Sequence, residues 1–171
     1  MLNIALPEFR LPREVIDLEI RYIENAGVKI EYNSPIDAKH TVNDLMKEGH
    51  KAVFISAGAQ ASKRIGIPGE EEDKEGLHYG LSFLRDVRMG ENRPLSGKTV
   101  VIGGGNVAMD VARTARRAGS DDVQVFCLES RDEMPAWEKD VEETLEEGII
   151  INPSWSPTQI EHDDGKVRGI T

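Results

Sequence analysis

The sequence predicts an α/β protein built on a parallel sheet, and three observations carry that expectation. Residues 52–55, 99–102 and 149–151 form short, continuous apolar runs of the kind found in buried strands. These runs alternate with segments whose apolar residues recur at helical spacing, the order that helix-connected parallel strands require. Gly103-Gly104-Gly105 joins one such run to an alanine-rich helical segment, a chain reversal that glycine makes cheap.

Taken in order, Pro12 suits a first helical turn, and Ile16, Ile20 and Ile23 keep one face apolar up to Gly27, so residues 12–26 are expected to be an amphipathic helix. Residues 28–32 alternate apolar and polar and are closed by Asn33-Ser34-Pro35, predicting a strand. Thr41 is a good cap for a short helix ending at Gly49, and 52–55 follow as a buried strand. From 60 to 76 the composition turns to charge, glycine and proline, predicting a loop or interdomain linker. Its acid run Glu70-Glu71-Glu72-Asp73 is expected to face water, because adjacent carboxylates repel. Residues 77–89 are expected to form a helix burying Leu81, Leu84 and Val87 or Met89, broken by 90–94.

The second half is punctuated more sharply. A strand at 99–102, the glycine turn, and a helix over 107–118 stopped by Gly119 come first. A strand at 123–128 and a helix over 135–147 follow, the latter with Trp137, Val141 and Leu145 at four-residue spacing and Gly148 as its stop; Trp137 is expected in the core. Residues 149–151 supply a third buried strand, and Asp163-Asp164-Gly165 predicts a hairpin turn between 158–161 and 166–170.

Composition narrows the function. The 171 residues carry 21 Lys plus Arg against 31 Asp plus Glu, a net charge of -10 that disfavours nucleic acid and anionic membranes as partners. The single cysteine, Cys127, excludes a disulfide framework, a cysteine zinc site and an iron-sulfur cluster built from this chain alone, and fits a cytoplasmic setting. It reads as a packed thiol. No apolar run approaches the ~18 residues of a membrane span. The four histidines, His40, His50, His78 and His162, share no ligand spacing, so no metal site is expected.

The strongest chemical signal is Gly103-x-Gly105-x-x-Ala108 between strand and helix, the context that a Rossmann-like dinucleotide fingerprint requires. Gly103 permits the tight turn, Gly105 lets a pyrophosphate approach the backbone, and Ala108 lets the helix pack on the strand. The anion would meet the N–H groups of Asn106 and Val107 and the positive end of the helix dipole. Glu129 follows twenty-one residues beyond Ala108, placed to accept hydrogen bonds from the adenosine ribose and to repel a 2′-phosphate, which favours NAD(H) over NADP(H). Arg131 argues the other way. Asp110 is explained by the helix dipole alone.

Residues 101–113 and the string Glu133-Met134-Pro135-Ala136 resemble the pyridine-nucleotide domain of the glutamate synthase small (beta) subunit and its relatives among flavin oxidoreductases. The first half is similar too, through Leu6-Pro7-Glu8-Phe9-Arg10-Leu11-Pro12, Phe54-Ile55-Ser56-Ala57-Gly58-Ala59 and Ile67-Pro68-Gly69-Glu70. The resemblance implies a three-layer NAD(P)H-binding domain over 63–171, lacking its last strands, and an incomplete FAD-domain segment over 1–62, with Gly58 at the junction where the flavin domain meets it. It implies hydride transfer from NAD(P)H to FAD and onward to iron-sulfur clusters outside this chain, or to a larger partner subunit. Gly104, Ser130 and Arg131 join Gly103, Gly105, Asn106, Val107, Ala108, Glu129 and Gly58 as expected cofactor contacts. Where the family carries a pair of arginines, Leu128 and Glu129 stand here, while Arg131 matches a further basic position. This chain alone is expected to bind the dinucleotide without turnover; the alternative is a regulatory NAD(H)-binding module with no redox chemistry.

Overall fold

A computed structural model describes residues 2–59, 61–70, 75–91 and 94–171. Most of the predicted acid run, Glu71 to Asp73, lies outside the described residues, as do Asn92 and Arg93. The backbone divides into two units, Pro12–Ala59 and the remainder, so the segment before Pro12 groups with the second half of the chain.

The unit Pro12–Ala59 holds two helices, α1 (Arg13–Asn25) and α2 (Val42–Lys47). Helix α2 starts as the cap residue predicts: Thr41 donates from its N–H and its hydroxyl to the Asp44 carboxylate, at 3.0 and 2.7 Å. The strands expected at 28–32 and 52–55 do not form, and the second stretch is open, with Phe54 93% exposed. A strand exists only through its ladder partner. No described segment of this unit supplies one, so apolar character there is not converted into sheet. Of the three isoleucines on the predicted apolar face, Ile16 is buried and Ile23 is exposed.

The other unit carries the sheet. After helix α3 (Gly80–Met89) come β1 (Lys98–Ile102), α4 (Asn106–Arg117), β2 (Asp122–Phe126), α5 (Glu138–Glu146) and β3 (Ile150–Asn152). The strands are parallel in the order β1-β2-β3, with Val101 opposite Val125 and Val125 opposite Ile151. Along β2 burial alternates, so Val123 and Val125 face the helices while Asp122, Gln124 and Phe126 face away, half-buried. The core fills from α4, where Ala108, Ala112 and Ala115 let the helix lie close to the sheet and Met109 is fully buried, and from Phe83, Leu84 and Val141 of the neighbouring helices. Burial of each such Met, Val or Phe side chain is worth ~1.5–3 kcal/mol.

Two helices differ from expectation. Helix α3 buries Phe83, Leu84 and Arg88, with Met89 exposed. Arg88 is inside because the segment before Pro12 supplies its acceptors, the carbonyls of Asn3 and Leu11 at 3.4 and 3.3 Å and the Glu8 carboxylate. Helix α5 begins at Glu138, three residues later than the spacing predicts. Trp137 stands just before it and is 74% exposed, not core, because the chain bends at residues 135–136 to bring the Ala136 N–H to the glycine turn. Of the three spaced positions only Val141 is buried; Leu145 is exposed. In β3 the exposed Ile150 likewise departs from a fully buried strand.

The predicted hairpin is β4 (Ile160–Asp163) and β5 (Lys166–Ile170), turned through Asp164 and Gly165 at φ 48 and 79. The segment expected to be a linker is tied to it. The Ile160 N–H donates to Pro68 O at 2.9 Å, His162 Nε2 lies 2.6 Å from Gly69 O, and Glu75 exchanges backbone bonds with Gly165 and Val167.

Candidate functional site

The glycine turn closes the C-terminal end of β1. Gly103, at φ 134, donates its N–H to Phe126 O at 2.9 Å, a backbone conformation that a side chain would strain. Gly105 then adopts extended geometry as the residue before α4, and its carbonyl accepts the N–H groups of Ala108 and Met109 at 2.9 and 3.2 Å. The helix's own bonds therefore begin at Ala108. Asn106 and Val107 bring their N–H groups to the first turn, where a helix has no carbonyl of its own to offer them. Ala108 is buried, and its methyl lies 3.6 Å from where a Cβ on Gly103 would stand.

The predicted acid meets this turn. A Cβ on Gly104 would stand 2.8 Å from Glu129 Oε2 and 3.1 Å from Cys127 Cβ, so the bare backbone is what admits the Glu129 carboxylate. Glu129 is held from behind by the Ser154 N–H, 2.9 Å from its carbonyl. Ser130 turns its hydroxyl to Glu133, at 2.7 Å, and Arg131 is engaged by the Glu138 carboxylate, with Nη1 3.0 Å from Oε2. Cys127 is buried, and its thiol pKa is raised by burial and then by the Glu129 charge. That suits a packed thiol. Gly58 lies in the other unit, exposed and at φ 70, with no strand leading into it.

A charged network beneath the turn is a feature that sequence reasoning misses. Arg10 reaches the carboxylates of both Asp110, on α4, and Asp140, on α5, the latter at 2.9 Å. Asp140 also accepts from the Asn106 side-chain amide, whose oxygen lies 3.3 Å from the Trp137 N–H. The neighbouring Ala136 N–H donates to Gly104 O at 3.1 Å. Burial is the largest influence on Asp110 and leaves its pKa raised despite Arg10; burial opposes the Arg10 charge, but the hydrogen bonds it donates to Asp140 and Asp110 raise its pKa overall. The partners lie 100 and 130 residues apart, and Asp110 alone looks like a dipole-favoured acid. One turn on, Arg113 is paired with Glu143 and Glu147 at 2.6 and 2.7 Å, and its guanidinium lies 4.4 Å from the Phe9 ring centroid.

The donors at the head of α4 and the bare Gly104 backbone fit a dinucleotide pyrophosphate beside an acid suited to ribose hydroxyls. The described residues of the Pro12–Ala59 unit present no strand-glycine-helix turn. No helix among the described residues is long and apolar enough to cross a membrane.

Comparison with known proteins places this geometry. Residues 6–171 match the family described as pyridine nucleotide-disulphide oxidoreductase. The chain is 39% identical to the NADP(+)-dependent formate dehydrogenase subunit beta of Moorella thermoacetica, over 99% of this chain and 24% of that protein. It is 32% identical to the glutamate synthase [NADPH] small chain of Escherichia coli K12, over 99% of this chain and 38% of that one. Among solved structures, Mycobacterium tuberculosis FprA in complex with NADPH matches with a TM-score of 0.72 and 17% identity, over 99% of this chain and 52% of that chain, a likeness of fold alone. The chain thus spans between about a quarter and two fifths of the length of these two relatives.

Proposed function

This chain belongs to the pyridine nucleotide-disulphide oxidoreductase family, and from that premise we propose that residues 63–171 bind a nicotinamide dinucleotide at the Gly103–Gly105 turn for a larger flavoprotein. Members of the family use FAD and NAD(P)H. The observation that carries the reading is the approach of Glu129 to Gly104 beside the head of α4. The N–H groups of Asn106 and Val107 hold the pyrophosphate, and Glu129 orients the adenosine ribose by accepting from its hydroxyls. When bound, the reduced nicotinamide supplies a hydride. Residues 12–59 belong in this reading to the flavin-binding part of the whole protein, the segment before Pro12 packing instead with the dinucleotide unit, and electrons pass on to iron-sulfur clusters or a partner subunit carried outside this chain.

NAD(H) is preferred over NADP(H) in this reading. The Glu129 carboxylate disfavours a 2′-phosphate, and the nearby cation of Arg131 is occupied by Glu138. Both relatives named above are NADP-linked by name, so the preference rests on these two contacts. Titrating this chain with NADH and with NADPH, followed by tryptophan fluorescence, tests both points. Saturable quenching, tighter with NADH, is expected, and no quenching by either up to about 100 times a typical micromolar Kd would refute the site. Dye reduction with NADH and added FAD is expected to stay at background on this chain alone.

A further inference from the structure

We propose that Arg10 is a positioning residue for the dinucleotide site, fixing the head of α4 and residues 136–137 beside the glycine turn through Asp140 and Asn106. The inference rests on the dinucleotide reading above. From Arg10 the contacts run to Asp140, from Asp140 to the Asn106 amide, and from the Asn106 oxygen to the Trp137 N–H, while Ala136 holds Gly104 O. Asn106 is the first residue of α4, and its backbone N–H is one of the two assigned to the pyrophosphate. Its side chain is thus anchored from below and ties down residues 136–137 from the side. Removing Arg10 frees Asp140 from its cation, and Asn106 with it.

The arrangement is poorly explained as a stability device. Asp110 and Asp140 are buried and share one guanidinium, and the Arg10 Nη2 atom is itself buried with no partner among the described residues. Buried ion pairs seldom stabilise beyond a well-packed apolar replacement, and their best-attested use is to specify one geometry. Here the geometry specified is that of the turn. Arg113 offers the contrast: it is also buried on α4, but its contacts run to Glu143 and Glu147 at the end of α5 and to Phe9, and not to Asn106.

The test compares Arg10→Ala with Arg113→Ala in this chain, reading NADH affinity and thermal midpoint together. Arg10→Ala is expected to weaken NADH about 10-fold. Arg113→Ala is expected to lower the midpoint with affinity unchanged. A cycle with Asn106→Ala adds the readout that a merely structural role would not move: after Asn106→Ala, the effect of Arg10→Ala on affinity should fall below about 2-fold. Should Arg10→Ala not fold, the isosteric Asp140→Asn carries the same expectation, weaker NADH binding that is non-additive with Asn106→Ala. Equal affinity losses in the Arg10 and Arg113 variants, or additivity in the cycle, would overturn the positioning role alone. Absence of NADH and NADPH binding by the unaltered chain would overturn the dinucleotide reading and this inference with it.

Discussion

Glu129 and Gly104 meet side chain to backbone across the mouth of the sheet, with 2.8 Å between Oε2 and the place a Cβ on Gly104 would take. A methyl there displaces the carboxylate and crowds Cys127 Cβ, at 3.1 Å. Gly104→Ala is expected to weaken NADH binding about 10-fold, the equivalent of ~1.4 kcal/mol of overpacking felt at the site. Calorimetric titration reads it, and affinity equal to that of the unaltered chain would show that the turn tolerates a side chain.

Glu129 also sets the expected cofactor preference. Glu129→Arg replaces a carboxylate that repels a 2′-phosphate with a guanidinium that pairs with one, so the NADPH-to-NADH affinity ratio should rise by roughly 10-fold or more. Paired titrations of both dinucleotides check this. A ratio that does not move removes Glu129 from the ribose site.

Arg131 is restrained by Glu138 in an exposed ion pair. Such pairs are worth ~0.2–1 kcal/mol, so Glu138→Gln should improve NADPH affinity by only about 2- to 5-fold and leave NADH unchanged. The gain should shrink with added salt. Improvement of both dinucleotides alike would mean that Arg131 does not meet the 2′ position.

Glu147 links stability to pH. Burial pushes its pKa up, but the hydrogen bonds from Arg117 and Arg113 outweigh that and hold it below its ordinary value of 4.5. A carboxyl lowered on folding contributes stability that is present above its unfolded pKa and is lost as pH falls through the folded one. Glu147→Gln should therefore cost about 1–3 kcal/mol at neutral pH, where Arg113 keeps only Glu143, and progressively less on acidification below about pH 4. Urea unfolding at two pH values measures the gap, and a gap independent of pH would refute the assignment.

Legibility followed the range of the interactions. The run from Val101 through the glycine turn to Ala115 reads correctly because strand, turn and helix are each specified by neighbouring residues, and the Asp164-Gly165 turn reads for the same reason. Residues 28–32 and 52–55 carry the same local signals without the result, since pairing depends on a partner that no local pattern encodes. The candidate site divides the same way. Glu129 is found by counting from Ala108, whereas Arg10 is invisible to counting, because its partners come together only once α4 and α5 pack. Trp137 misleads because four-residue spacing cannot tell a helix from the extended approach to one. Arg88 and Met89 exchange the roles their chemistry suggests, Arg88 buried and Met89 exposed, for a segment some eighty residues away supplies the carbonyls.

Pro68, Gly69 and Glu75 are hydrogen-bonded to residues of 160–167, and the whole parallel sheet and the glycine turn lie between these two places in the sequence. The stretch that carries the sheet is therefore bracketed in sequence by two segments paired with each other, about 5 Å apart where they meet. Tying the two ends of the sheet-bearing stretch to each other holds it against fraying from either end.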